Sequence, residues 1–232
     1  MFMKAFKFAF RQTIPVLCGY LFLGLAFGLL LQEAGYNFVW AFFSSIFIYA
    51  GSMQFILVTF LSGSVSFLSV AVMTLSVNGR HIFYGLSFLE RFKEMGKRYP
   101  YMIFSLTDET YSLLCGTKIP NEFNKSDVSF YMALLDHSYW IAGSTLGALL
   151  GEFIPFDMTG VDFAMTALFT VIFVEQWLAA KSHFPAILGA VSATACLIIF
   201  GADNFILPSL IVTVLGLLVW KRFSSAAKEA ER

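Results

Sequence analysis

Charge is scarce in this sequence and evenly split where it occurs. Only 13% of the 232 residues are Asp, Glu, Lys or Arg, with 15 acidic and 15 basic side chains. Soluble domains carry roughly 25%. With an even balance nothing points to a nucleic-acid partner, which calls for a basic surface. Cysteine is sparse too. Cys18, Cys115 and Cys196 stand singly, with neither metal-ligand spacing nor an even disulfide framework. The sequence has no P-loop, no dinucleotide fingerprint and no H-x-x-x-H pair. The expectation is a protein that is not an enzyme, with no catalytic residue, no cofactor and no metal.

What is abundant is apolar sequence. Hydrophobic residues make up 58% of the chain, and several runs reach the roughly 20 residues needed to cross hydrocarbon. Spans are expected near 14–31, 38–61, 65–88, 130–150, 161–180, 184–200 and 205–220, with a shorter segment at 101–115. The first run follows a basic stretch without a small-residue cleavage site, so it reads as a retained span and signal anchor. Pro15 falls near its start, where a missing amide is tolerated. Trp40, Trp140, Trp177 and Trp220 fall near segment ends, as interfacial anchors do. The expected fold is an all-α polytopic membrane protein, a bundle of six to seven spans with broken or re-entrant segments. It forms one transmembrane domain over 1–232, with a short charged tail at 221–232.

Lys and Arg set the orientation. Lys4, Lys7 and Arg11, the four basic residues of 90–100, and Lys221 with Arg222 all ask for the cytoplasmic side. Three apolar segments precede residue 90, yet that rule requires an even number of crossings. Either one segment is re-entrant or a pair of half-helices, which a break at Gly51 or Gly63 allows, or seven full spans violate the rule. A faint internal repeat adds a second clue. Tyr20-x3-Gly24-x3-Gly28 resembles Tyr139-x3-Gly143-x3-Gly147, and duplicated architectures are common among secondary transporters. Small-residue faces of this kind permit close helix approach, to one another or to a second subunit.

Polar residues inside apolar runs are costly and often functional. Arg80 and His81 close the third run. They read either as an interfacial pair or as a substrate or proton site, with Asn78 and Gly79 able to unwind a turn beside them. A helix starting near Gly51 would present free amides to a carboxylate, with Ser52 and Gln54 adding side-chain hydrogen bonds. Asp108 and Glu109, flanked by Thr107 and Thr110, read as the start of a short helix. Once buried, either could carry a proton or hold an ammonium. Asp136 and His137 read as interfacial. Glu175 reads either as a proton site or as an interfacial partner of Lys181.

The motifs PVLCGYLFLGLAFG from Pro15, YAGSMQF from Tyr49, NGRHIFYG from Asn78, TDET from Thr107 and DFAMTALF from Asp162 resemble, in that order, the azaleucine-resistance AzlC family. The resemblance covers roughly 7–220, and Gly79 stands where a bulkier residue is expected. It implies a multi-pass protein of the bacterial inner membrane, exporting leucine, isoleucine, valine and in some members methionine. It also implies a small hydrophobic partner, AzlD. On the residues, the expected substrate contacts are Gly51, Ser52, Gln54, Asn78 and Arg80. The expected proton or ammonium groups are His81, Asp108, Glu109 and Glu175, and Phe47, Phe55 and Phe83 would take the apolar side chain. Proton-driven export leads. A passive channel would show unitary currents instead of saturable, exchange-stimulated flux. A structural subunit would keep export when Arg80, Asp108 and Glu109 are neutralised.

Overall fold

The computed structural model describes residues 2–63, 65–153, 162–180, 182–201 and 205–230. The described elements are all helical. They are α1 (Phe2–Glu33), α2 (Phe38–Phe47), α3 (Gly51–Ser62), α4 (Phe67–Lys93), α5 (Tyr99–Phe104), α6 (Asp108–Gly116), α7 (Lys125–Phe153), α8 (Asp162–Ala179), α9 (Phe184–Phe200) and α10 (Ile206–Ala230). A short 3-10 turn, Gly96–Arg98, leads into α5. Among the described residues one helix, Met3–Glu33, is long and apolar enough to cross a membrane by itself, and several shorter helices are apolar.

The chain divides into two units. One comprises Met1–Val65 and Val77–Leu168, the other Ser66–Ser76 and Phe169–Arg232. In the second unit α9 and α10 run antiparallel. Phe184 meets Trp220 with ring centroids 4.9 Å apart, and Gly216 lies under Leu188.

The first unit is built on α1 and α7. These helices run parallel, with Thr13 bonded to Tyr139 at 3.0 Å and Gln32 beside Gly151. Their glycines interlock. A Cβ on Gly24 would sit 2.9 Å from the Ser144 amide nitrogen, and one on Gly143 would sit 2.8 Å from the Tyr20 carbonyl oxygen. Added Cβ atoms on Gly28 and Gly147 would collide with the Ser144 and Leu25 carbonyl oxygens. The two Tyr-x3-Gly-x3-Gly motifs therefore pack against each other within the chain, using up the faces that a second subunit might have covered.

Around this pair stand two short hairpins. α2 runs from the far end of α1 back along α7 to the middle, where the Ser45 carbonyl meets His137. The chain turns at Ile48–Ala50 with Tyr49 at φ 42°, a backbone region costly for a bulky residue. α3 then starts at Gly51, whose missing Cβ leaves room for the Trp140 ring. It heads outward again, with Phe55 against Phe27. The second hairpin comes from the opposite end. α5 climbs α7 from the Arg98–Asp127 ion pair to Phe104 beside His137. α6 descends beside α4, with Tyr111 stacked on Tyr84. Helices of 10, 12, 6 and 9 residues are only about 9–18 Å long at 1.5 Å per residue.

Three local expectations are corrected. α4 continues unbroken through Asn78 and Gly79. A helical glycine costs about 1 kcal/mol, which the cooperativity of a 27-residue helix absorbs. Pro15 lies inside α1, because the helix already begins at Phe2. Trp140 is buried beside Phe27 and Tyr20, not placed at an interface.

Overpacking the α1–α7 contact costs about 1–3 kcal/mol. Gly28→Val and Gly147→Val are expected to lower the unfolding midpoint of the purified protein by about 5 °C or more. Gly19 has open space around it, so Gly19→Ala serves as the control and is expected to leave the midpoint unchanged or raise it slightly. Thermal melts in detergent check both.

Candidate functional site

The two hairpin tips meet midway along α1 and α7, and the polar residues of the first unit gather there. α6 begins with Thr107 as its N-cap, the side chain accepting from the Thr110 amide. That cap fixes where Asp108 and Glu109 point. On one side, Asp108 Oδ2 accepts from Arg80 Nη2 at 2.6 Å and Oδ1 accepts from the Tyr84 hydroxyl at 2.7 Å. Arg80 also donates to Ser52 Oγ, at 3.4 Å, so the guanidinium spans from the tip of α6 to the first turn of α3. The pair is partly open, with side chains 22% and 33% exposed. Arg80 Nε and Asn78 Oδ1 are buried and make no hydrogen bond among the described residues. His81 packs edge-on against Tyr84.

On the other side the Tyr20 hydroxyl donates to Glu109 Oε2 at 2.7 Å and lies equally close to Thr107 Oγ1. Thr107 reaches Thr110 Oγ1 at 3.2 Å, and Thr110 donates to Asp136 Oδ2 at 2.9 Å. Asp136 is fully buried on α7. Its neighbour His137 is held at both ring nitrogens, by the Ser45 carbonyl and the Tyr101 hydroxyl, each at 3.1 Å. The ring stacks on Tyr49 at 4.2 Å. Both residues were expected at an interface. The structure buries them, because α2 and α5 close over this part of α7.

Gln54 has a different job from its neighbours. It is fully buried, and its Oε1 accepts from the Ala50 amide and from Trp140 Nε1. Its Nε2 donates to Ser44 and Ser45. The side chain thus satisfies the gap between α2 and α3 that irregular backbone would otherwise leave unpaired. Of the expected residues, Gly51, Ser52, Asn78, Arg80, His81, Asp108 and Glu109 lie around the hairpin tips. Glu175 is on α8, and its side chain lies outside the described residues. Phe55 is buried against Phe27, whereas Phe47 and Phe83 are 71% and 69% exposed, so the three do not line one pocket.

From the sequence, Tyr20 and Tyr84 have no site role, and Asp136 and His137 read as interfacial, yet all four belong to the cluster at the hairpin tips. The signal was present, since an Asp-His pair within an apolar run is as unusual as the Arg-His pair that was singled out. No group of three or more metal-ligating side chains occurs among the described residues.

Many large apolar side chains are exposed while the charged residues of the first unit gather where the two hairpin tips meet, which is the distribution of a polytopic membrane protein. The AzlC protein family matches residues 15–154. An uncharacterized membrane protein of Helicobacter pylori is 45% identical, over 95% of this chain and 97% of its own. The branched-chain amino acid transport protein AzlC of Bacillus subtilis is 40% identical, over 92% of this chain and 84% of its own. The inner membrane protein YgaZ of Escherichia coli is 24% identical, over 94% and 92%. No solved structure matches. The chain belongs to the AzlC family.

Leaving a buried donor unpaired costs about 1–3 kcal/mol. Gln54→Leu, which strands the Ala50 amide and Trp140 Nε1, is expected to lower the unfolding midpoint clearly. Ser52→Ala loses one long hydrogen bond and should stay within about 0.5 kcal/mol of the parent. Denaturation of the purified variants distinguishes the two roles.

Proposed function

We propose that this protein is a proton-coupled secondary exporter of branched-chain and related neutral amino acids: leucine, isoleucine, valine and, more weakly, methionine. The observation that carries the reading is the Arg80–Asp108 pair at the meeting point of the two hairpin tips. Its two charges complement those of a free α-amino acid. On binding, the substrate carboxylate replaces Asp108 at Arg80, aided by Ser52 and the first amides of α3. The ammonium replaces Arg80 at Asp108. Each protein charge exchanges one partner for another, so neither is left unpaired, which is the costly state for a buried ion. Selectivity among side chains would be modest, about 1–3 kcal/mol per methylene, hence overlapping substrates.

In this reading the protein is a single transporter domain of the bacterial inner membrane. The hairpins α2–α3 and α5–α6 enter from opposite faces without crossing. Residues 1–100 then cross twice, through α1 and α4. That places Lys4, Lys7 and Arg11 on the same cytoplasmic side as the basic turn at 91–98, as the charge rule asks. Family membership supports a small hydrophobic partner of the AzlD type. Because the α1 and α7 glycines are occupied within the chain, that partner would use another face.

Leucine efflux from preloaded cells lacking their own exporters tests the proposal, with this chain expressed with and without the adjacent small subunit. Arg80→Ala and Asp108→Asn are each expected to cut efflux by about tenfold or more, the loss of roughly one charge-assisted bond. Saturable efflux that a pH gradient accelerates is the expected behaviour. Unitary currents would indicate a channel, and full efflux in both variants would indicate that the pathway lies in the partner.

A further inference from the structure

Beyond the substrate pair lies a continuous line of oxygens. It runs from Glu109 Oε2 to Tyr20, 2.7 Å, to Thr107, 2.7 Å, to Thr110, 3.2 Å, and to Asp136 Oδ2, 2.9 Å. Four contacts need four hydrogens if each is to be a hydrogen bond. The three hydroxyls supply one each. With both carboxyls ionised, one contact would set two oxygens together without a hydrogen between them. With both protonated, one hydrogen would have to lie outside the line, for instance on Asp136 Oδ1, where it meets no acceptor among the described residues. One carboxyl proton completes the line with no hydrogen left over, and a second would be a buried donor without an acceptor.

We propose that Glu109 and Asp136 share a single proton, passed between them through Tyr20, Thr107 and Thr110. With the proton on Glu109, its O–H donates to Tyr20, Tyr20 to Thr107, Thr107 to Thr110 and Thr110 to Asp136. Transfer breaks one O–H bond and forms one at each of four steps. The hydroxyls end pointing the other way, Asp136 holds the proton and Glu109 is ionised. The charge of the pair is unchanged at minus one. Glu109 neighbours Asp108 and so lies beside the substrate pair. Asp136 sits deeper, and its Oδ1 is buried without a hydrogen bond among the described residues. The charged and titratable groups facing the line are Arg80, His81 and Tyr84 on α4 around Asp108, Tyr49 beside Tyr20 and Thr110, and Tyr101, His137 and Tyr139 around Asp136. This deepens the export reading by assigning where the coupling proton resides.

Two measurements on the full-length protein in lipid test it. The first is infrared difference spectroscopy in the carboxylic-acid stretching region. Glu109→Gln and Asp136→Asn each bring an amide N–H that completes the line from one end, leaving the remaining carboxylate ionised. Both variants are expected to lose the same protonated-carboxyl band. A band that survives in one of them, or is missing from the parent, overturns the shared proton. The second uses proteoliposomes. Thr110→Val should keep leucine exchange at zero gradient within about twofold of the parent, while accumulation driven by a pH gradient falls about tenfold or more. Thr110→Ser should restore it. Driven accumulation equal in Thr110→Val and the parent overturns the relay. A parent protein that moves no leucine defeats the export reading instead, and the spectra then decide the shared proton by themselves.

Discussion

The contact between α1 and α7 is the constraint on which the first unit rests. Four glycines let the two backbones touch, with Gly24 against Ser144 and Gly143 against the Tyr20 carbonyl. Between lipid-facing helices the hydrophobic effect gives little, so close backbone packing supplies the association. The contact also sets positions. It fixes Tyr20 on one helix and Asp136, His137 and Trp140 on the other at a common level. The hairpin tips have polar groups to meet there because those side chains are held in register.

Both hairpins leave backbone and side-chain polar groups in the interior, where none can go unpaired cheaply. The tip of α2–α3 is satisfied by Gln54 and His137, and the tip of α5–α6 by Thr107. That division separates structural from reactive groups. Gln54 is fully committed, with partners on both ends of its amide. Arg80 and Asp108 bond each other at a partly open position, and Arg80 keeps a donor in reserve. In our proposal this uncommitted capacity is what a substrate uses, and the hydroxyl line behind Glu109 holds the proton that drives it.

The sequence made several of these features legible for physical reasons. Scarce charge and long apolar runs gave the helical membrane class. The Tyr-x3-Gly-x3-Gly motifs stood out because close helix approach tolerates few residue types. Gly51 marked the start of α3, and Thr107 with Asp108 marked the start of α6, because caps depend on local chemistry. What stayed hidden depends on tertiary closure. Asp136 and His137 read as interfacial because their neighbourhood marks the pair as unusual but does not show that α2 and α5 close over it. Gln54 read as a ligand contact because nothing local shows that Trp140 would claim its oxygen. Asn78–Gly79 read as a break, although a long helix carries such a pair at small cost.

The central claim is that the Arg80–Asp108 pair receives a zwitterion. The most direct measurement is the thermal stabilisation of the purified protein by three ligands of one shape. Leucine has both charges, 4-methylvalerate lacks the ammonium and leucinamide lacks the carboxylate. Our account expects leucine alone to stabilise the protein, with the effect lost in Asp108→Asn. Equal stabilisation by 4-methylvalerate or leucinamide, or by leucine in Asp108→Asn, would contradict it.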